Sequence, residues 1–211
     1  MEGALRGSQQ PNLRVIETLG WRPHLGAVRR EDHLARAEKT CADLLVPFDR
    51  SEARDALQKI SGDYALRVRM SWGADGLVVE TSPLSPTPEI WRCAPYSERL
   101  VSTDPWLQVK TTNRKLYDEA RAARPQGVDE WLFLNESGHL CEGAITNIFV
   151  EDGGVLLTPP LSDGLLPGVL RADLLRSGRA REAHLTLSKF ARAKRAYVGN
   201  SLRGLILARL I

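Results

Sequence analysis

Three prolines fall within seven residues at Ser82 to Pro88 (SPLSPTP), and this stretch constrains the chain more than any other. Each proline lacks a backbone N–H, fixes its own φ and pushes the residue before it out of the helical region. Neither a helix nor a central strand can run through such a segment. The 211 residues suffice for one large domain or two small ones sharing an interface. A connection between two parts is therefore expected here or slightly later, around Asp104-Pro105. The division drawn from this is a small N-terminal α/β domain over 1–104 and a C-terminal domain over 105–211.

Patterning supplies the elements on either side. Leu13 to Leu19 alternates apolar and polar residues as a strand does, and Trp21 to Gly26 reads as the turn after it. From Arg30 to Leu45, Leu34, Ala37, Cys41 and Leu44 recur at helical spacing, and Pro47 stops the run. Ser51 is the expected cap of a second helix reaching Ile60. Tyr64 to Trp72 (YALRVRMSW) alternates strictly, with Arg67 and Arg69 on one face and Leu66, Val68 and Met70 on the other. A further strand is expected over Gly76 to Thr81.

Beyond the break, the pattern predicts a short strand from Trp106 to Val109, a helix from Asn113 to Ala123, and strands over Glu130 to Asn135 and Ala144 to Val150. Val155 to Thr158 and Ala196 to Val198 are short strands, and Pro167 begins a helix to Leu175. This is mixed α+β, not a regular βαβ alternation.

Bulk properties exclude several function classes. Formal net charge is +3, from 29 basic and 26 acidic residues, which suits a small anionic substrate and does not demand nucleic acid. Arg171, Arg176, Arg179, Arg181, Arg192, Lys194 and Arg195 form a basic run without interleaved aromatic residues, so a solvated helix face explains it better than a nucleic-acid site. No apolar run approaches a membrane span, and MEGALRGSQQPNLR lacks a signal peptide's apolar stretch, so a cytoplasmic protein is expected. Cys41, Cys93 and Cys141 show no close pairing and read as free thiols. His24, His33, His139 and His184 lack ligand spacing, so no metal site is expected.

Several residues carry chemistry only in the right surroundings. Lys110, between a predicted strand and a predicted helix, is either inert in solvent or a reactive amine. Glu142 either faces water or is buried with a cationic partner. Gly168 opens a helix whose first N–H groups could hold an anion or simply remain solvated. Asn200 and Ser201 close a turn or hold a phosphate. Arg36 is a surface charge or an anion ligand.

In order along the chain, these features resemble the fold-type IV pyridoxal-phosphate enzymes, which include branched-chain and D-amino-acid aminotransferases and aminodeoxychorismate lyases. The resemblance is carried most strongly by LCEGAITNIFV (Leu140 to Val150) and LLTPPLSDGLLPGVLRADLL (Leu156 to Leu175). It implies a two-domain D-amino-acid aminotransferase-like fold, with a larger barrel-like C-terminal domain. It implies pyridoxal 5'-phosphate as cofactor, with Lys110 binding its aldehyde and shuttling the substrate proton. Glu142 would face the pyridine nitrogen. Arg36, the amides of Val169 and Leu170, Asn200 and Ser201 would hold the phosphate. Asn147 joins this cofactor-binding set, and Arg67 and Arg114 would meet the substrate. A homodimer acting on a carboxylate-bearing amine follows by the same analogy.

Details around Lys110 to Arg114 and Gly199 to Gly204 look more like the lyases that convert 4-amino-4-deoxychorismate into 4-aminobenzoate and pyruvate in the folate branch. An aminotransferase and a non-catalytic binding module are the alternatives. The chain departs from the family in being shortened at the N-terminus and in ending soon after Gly204. The tyrosine that contacts the cofactor's phenolic oxygen in transaminases is also missing. Arg114 stands near its place, and Tyr117, one helical turn on, is the candidate substitute.

Overall fold

The computed structural model describes residues 12–211, so the expectations for the first eleven residues lie outside it. Contacts divide the chain into two units: one comprises residues up to Pro86 together with Val109–Asn113, the other Thr87–Gln108 together with Arg114–Ile211. The exit from the first unit falls within the proline-rich stretch. This division differs from one at 104/105 because residues 90–100 pair inside the second unit, and because Val109–Asn113 returns to the first.

The first unit is an antiparallel sheet of four strands, β1 (Val15–Arg22), β2 (Gly26–Ala27), β3 (Leu66–Gly73) and β4 (Gly76–Pro83), in the order β2-β1-β3-β4. Pairing sets Glu17 opposite Met70 and Leu19 opposite Val68. The alternation in β3 is realised, with Leu66, Val68 and Met70 buried and Arg67 and Arg69 partly exposed. Helix α1 (Arg30–Leu44) lays Leu34, Ala37 and Cys41 on this sheet, and α2 (Arg50–Gln58) adds Ala53 and Leu57. α1 stops because Leu45 turns left-handed, at φ 57°, before Pro47. The cap of α2 is Asp49 rather than Ser51: its carboxylate accepts from the amides of Ser51 (2.7 Å) and Glu52 (3.1 Å).

The second unit is built on a closed ring. Strands β8 (Asn147–Asp152), β11 (Ala196–Asn200), β12 (Gly204–Leu210), β5 (Ile90–Leu100), β6 (Glu130–Asn135) and β7 (Leu140–Gly143) pair in that order, and β7 pairs back onto β8. Ring closure leaves these six strands without a free edge. β9 (Val155–Thr158) and β10 (Ala180–Glu182) extend the sheet from β8. Alternate residues of the ring strands, including Cys93, Leu132, Leu140, Ile148, Val198 and Ile206, make one apolar core. Phe149 belongs to a second cluster with Leu170 and Leu174 of helix α4 (Val169–Arg176), so β8 is buried on both faces. Helices α3 (Lys115–Ala122) and α5 (Leu187–Arg192) complete the unit.

Three expectations are corrected here. Residues 105–108 form a 3-10 turn, since Pro105 cannot join a ladder and the Asp104 side chain accepts from the Trp106 amide. The strand expected over Ala144 to Val150 starts only at Asn147, as β8, because residues 144–146 form the turn that links it to β7. The sequence pattern announces no strand after Ala196 to Val198, yet β12 starts at Gly204 and pairs with both β11 and β5. The basic run also loses a member: Arg171 is buried, donating to the Pro159 carbonyl (2.7 Å) and bonded to Glu182. None of the helices among the described residues is long and apolar enough to cross a membrane.

Candidate active site

The turn between β7 and β8 shows how the barrel holds its polar groups. Glu130 is buried, and its carboxylate accepts from the amides of Ala144 (3.2 Å) and Ile145 (3.2 Å) and from the Thr146 hydroxyl (3.0 Å). Burial pushes its carboxyl above the usual range, and these donors only partly offset that. Gly143 is obligatory here, because a Cβ would stand 2.3 Å from Thr146 Oγ1 and 2.8 Å from Glu130 Cγ.

The turn presents Glu142 on β7, buried at 6% exposure. Its Oε1 accepts from the Tyr117 hydroxyl at 2.6 Å, and its Oε2 accepts from the Leu166 amide at 3.1 Å. Burial and the adjacent carboxylate both push the Tyr117 phenol upward, so it stays protonated and remains a donor. Glu142 is thus buried rather than solvated, and the Tyr117 hydroxyl and the Leu166 amide are among the groups that hold its carboxylate. Arg114 reaches the Ala144 carbonyl (2.8 Å) and Asp118 (2.9 Å), and its guanidinium lies 5.5 Å from the Tyr117 ring centre.

Asn147 sits opposite Glu142 in the β7–β8 pairing. Its Nδ2 donates to the Leu166 carbonyl at 3.0 Å, so the backbone of Leu166 is gripped at N by Glu142 and at O by Asn147. Two residues on, α4 starts at Gly168, which provides no side-chain cap. The first-turn amides of Val169 and Leu170 have no acceptor within the helix, and the positive end of its dipole lies there. A Cβ at Gly168 would meet Asn147 Oδ1 at 1.9 Å, so only glycine admits this approach. Asn200 is committed to its turn, donating to the Ile145 carbonyl (3.1 Å) and accepting from the Arg203 amide (3.0 Å). Ser201 is buried in the same turn.

In the first unit, residues 109–113 lie along β1. The Lys110 carbonyl accepts from the Ile16 amide (2.8 Å), Thr111 bridges to Val15, and the Thr112 amide donates to the Arg14 carbonyl (2.9 Å). Lys110 is half-buried while Thr111 is buried, so the backbone on either side of the lysine is fixed by pairing. Arg36 is not a solvated surface charge: Nε and Nη2 clasp the buried Glu17 carboxylate at 2.8 and 2.7 Å, and His33 Nδ1 lies 2.6 Å from it. Burial alone would raise the Glu17 carboxyl, but Arg36 and His33 outweigh it and hold it at about 2. This pair has no periodic signal, because Glu17 on β1 and Arg36 on α1 meet only through tertiary packing. Arg67, expected to meet substrate, is partly exposed on β3.

Within the second unit the donors fit a phosphorylated pyridine, with a buried carboxylate for a ring N–H and uncapped helix amides for a phosphate; within the first, Lys110 offers an amine on a fixed backbone.

A closed six-stranded barrel accompanied by a separate antiparallel sheet, carrying these groups, has the class IV aminotransferase architecture. The family model described as amino-transferase class IV matches residues 14–211, and the chain belongs to that family. Among solved structures, a Mesorhizobium loti protein provisionally described as an amino-acid aminotransferase is 39% identical, covering 95% of this chain and 100% of that one, with a TM-score of 0.87. The 4-amino-4-deoxychorismate lyase of Pseudomonas aeruginosa is 25% identical, covering 93% and 82%, with a TM-score of 0.78. The branched-chain-amino-acid aminotransferase of Salmonella typhimurium is 39% identical over 54 residues, 26% of this chain and 18% of that protein. The match thus spans about a fifth of that relative's length.

Proposed function

We propose that the protein is a pyridoxal-phosphate-dependent lyase that converts 4-amino-4-deoxychorismate into 4-aminobenzoate and pyruvate. The observation that carries the cofactor part is the buried Glu142 carboxylate, held by Tyr117 and Leu166, on the barrel that also bears the uncapped start of α4. When bound, the cofactor supplies a ring that accepts an electron pair from the carbon beside the substrate amine.

The protein's own groups do the rest. Lys110 anchors the aldehyde carbon and takes the proton from the ring carbon that bears the substrate amine. Glu142 keeps a proton on the pyridine nitrogen. Val169 and Leu170 amides, Arg36, and the turn of Asn200 and Ser201 hold the phosphate, while Asn147 positions the α4 start through Leu166. Arg67 and Arg114 meet substrate carboxylate. Aromatisation drives departure of pyruvate, so orientation and one proton transfer are what the protein must provide. A homodimer is part of this proposal.

Aminotransferase activity on branched-chain or D-amino acids is the second reading, favoured by the identity to the Mesorhizobium loti protein over nearly the whole chain. Visible absorbance of the purified protein, borohydride reduction and mass analysis of the Lys110 peptide test the shared part. A colourless protein that takes up no added pyridoxal phosphate would leave only a non-catalytic module. Pyruvate release from aminodeoxychorismate then supports the lyase. Glutamate formation from 2-oxoglutarate and leucine in its place would establish the transaminase.

A further inference from the structure

His139, Asp163 and His184 are 24 and 21 residues apart, and no spacing rule connects them. The fold brings them together in three steps. His139 leads into β7, whose Leu140 amide donates to the Leu185 carbonyl at 2.8 Å, which sets His139 beside His184. Asp163 ends a 3-10 turn (Leu161–Asp163), and Gly164 after it takes φ 83° where a Cβ would press on Ser102 Cα at 2.7 Å. The Asp163 carbonyl is held by Asn135 Nδ2 (3.1 Å) and the Cys141 thiol (3.1 Å), leaving its carboxylate to the two imidazoles.

The resulting geometry is that of a ligand set. The carboxylate is buried, with 4% of the side chain exposed, while the His139 and His184 side chains are 33% and 58% exposed. His139 Nδ1 lies 3.3 Å from Oδ1, and His184 Nδ1 lies 2.9 and 3.0 Å from the two oxygens. One donor atom from each residue falls within 4.8 Å of the others. A tetrahedral zinc ion with nitrogen and oxygen ligands at 2.0–2.2 Å has ligand-to-ligand edges of about 3.3 Å, close to these separations.

We propose that His139, Asp163 and His184 bind one zinc(II) ion, with water in the fourth position. Two neutral imidazoles and one carboxylate suit zinc better than a hard cation such as magnesium, which prefers oxygen ligands. The half-exposed rings give the ion a way in and leave room for the water. The ion replaces hydrogen bonds to a single carboxylate with a three-way tie between the β6–β7 hairpin, the 161–163 turn and the segment after β10. Two of those segments lead within three residues to Glu142 and to Leu166, which bond each other. The site is independent of the reaction assigned to the protein.

The test uses the full chain, tag removed and treated with chelator, titrated with zinc chloride by calorimetry and with cobalt(II) chloride by visible absorbance. One zinc per chain is expected, with cobalt bands stronger than those of the hydrated ion. His184→Ala, on an exposed side chain, should fold normally and weaken zinc binding by about 100-fold or more, as should Asp163→Asn. Absence of saturable zinc binding overturns the proposal. Equal affinity in wild type and His184→Ala overturns it too, by placing bound metal elsewhere.

Discussion

The Tyr117 hydroxyl donates to Glu142 Oε1 across 2.6 Å, joining helix α3 to strand β7 through a buried carboxylate. Tyr117→Phe removes that donor while keeping the ring contact with Phe133 (4.9 Å between centres). Hydrogen bonds to charged groups contribute about 1.5–3 kcal/mol, so urea unfolding should show a loss of that size. Unchanged stability would mean that water replaces the hydroxyl without cost.

Glu142→Gln keeps the shape of the side chain but cannot hold a proton on the pyridine nitrogen. Cofactor uptake should survive while the proton-transfer step slows by about 100-fold or more. Single-turnover kinetics separate the two, and an unchanged rate would remove Glu142 from its assigned role.

Lys110→Ala should abolish turnover and the borohydride-sensitive absorbance together. Its neighbours pair with β1 through backbone atoms, which the substitution leaves in place. Residual catalysis at wild-type level would refute the lysine assignment.

Gly168→Ala puts a methyl group 1.9 Å from Asn147 Oδ1, which forces Asn147 off Leu166. A stability cost of about 1–3 kcal/mol and weaker cofactor phosphate binding are expected. In an Asn147→Ala background the same change should cost much less, because the clashing atom is gone. Additive losses in a double-mutant cycle would contradict this contact.

Acid should attack the first unit through Glu17, whose carboxyl is lowered from 4.5 to about 2. A depressed carboxyl contributes stability that is complete above the unfolded value and lost as pH falls toward the folded one. Between pH 4.5 and about 2 this group should therefore withdraw on the order of 3 kcal/mol. Glu17→Gln should be less stable at neutral pH and have a shallower pH slope in that window, by about one proton.

The sequence shows its strands best where one face meets water. Tyr64 to Trp72 alternates, and β3 appears there. Strand β5 carries Pro95 and polar residues and lies between two parallel neighbours, so its alternation is weak and no sequence pattern announces it. The α4 start was readable from Pro167-Gly168, and Glu142 from the motif around it. The partners Tyr117, Leu166 and Glu17 were not, since each bond joins residues 19 to 25 apart by tertiary contact alone. The same holds for His139, Asp163 and His184, whose proximity depends on barrel register and not on spacing.

Closure of the ring has a consequence for synthesis on the ribosome. β5 is flanked by β6 on one side and β12 on the other, in parallel with both, and β12 is translated more than one hundred residues after β5. Until residues 204–210 leave the exit tunnel, β5 and β11 each present an unpaired edge open to other nascent chains. The ring therefore closes last at the seam between β5 and β12, after its other strands have been made.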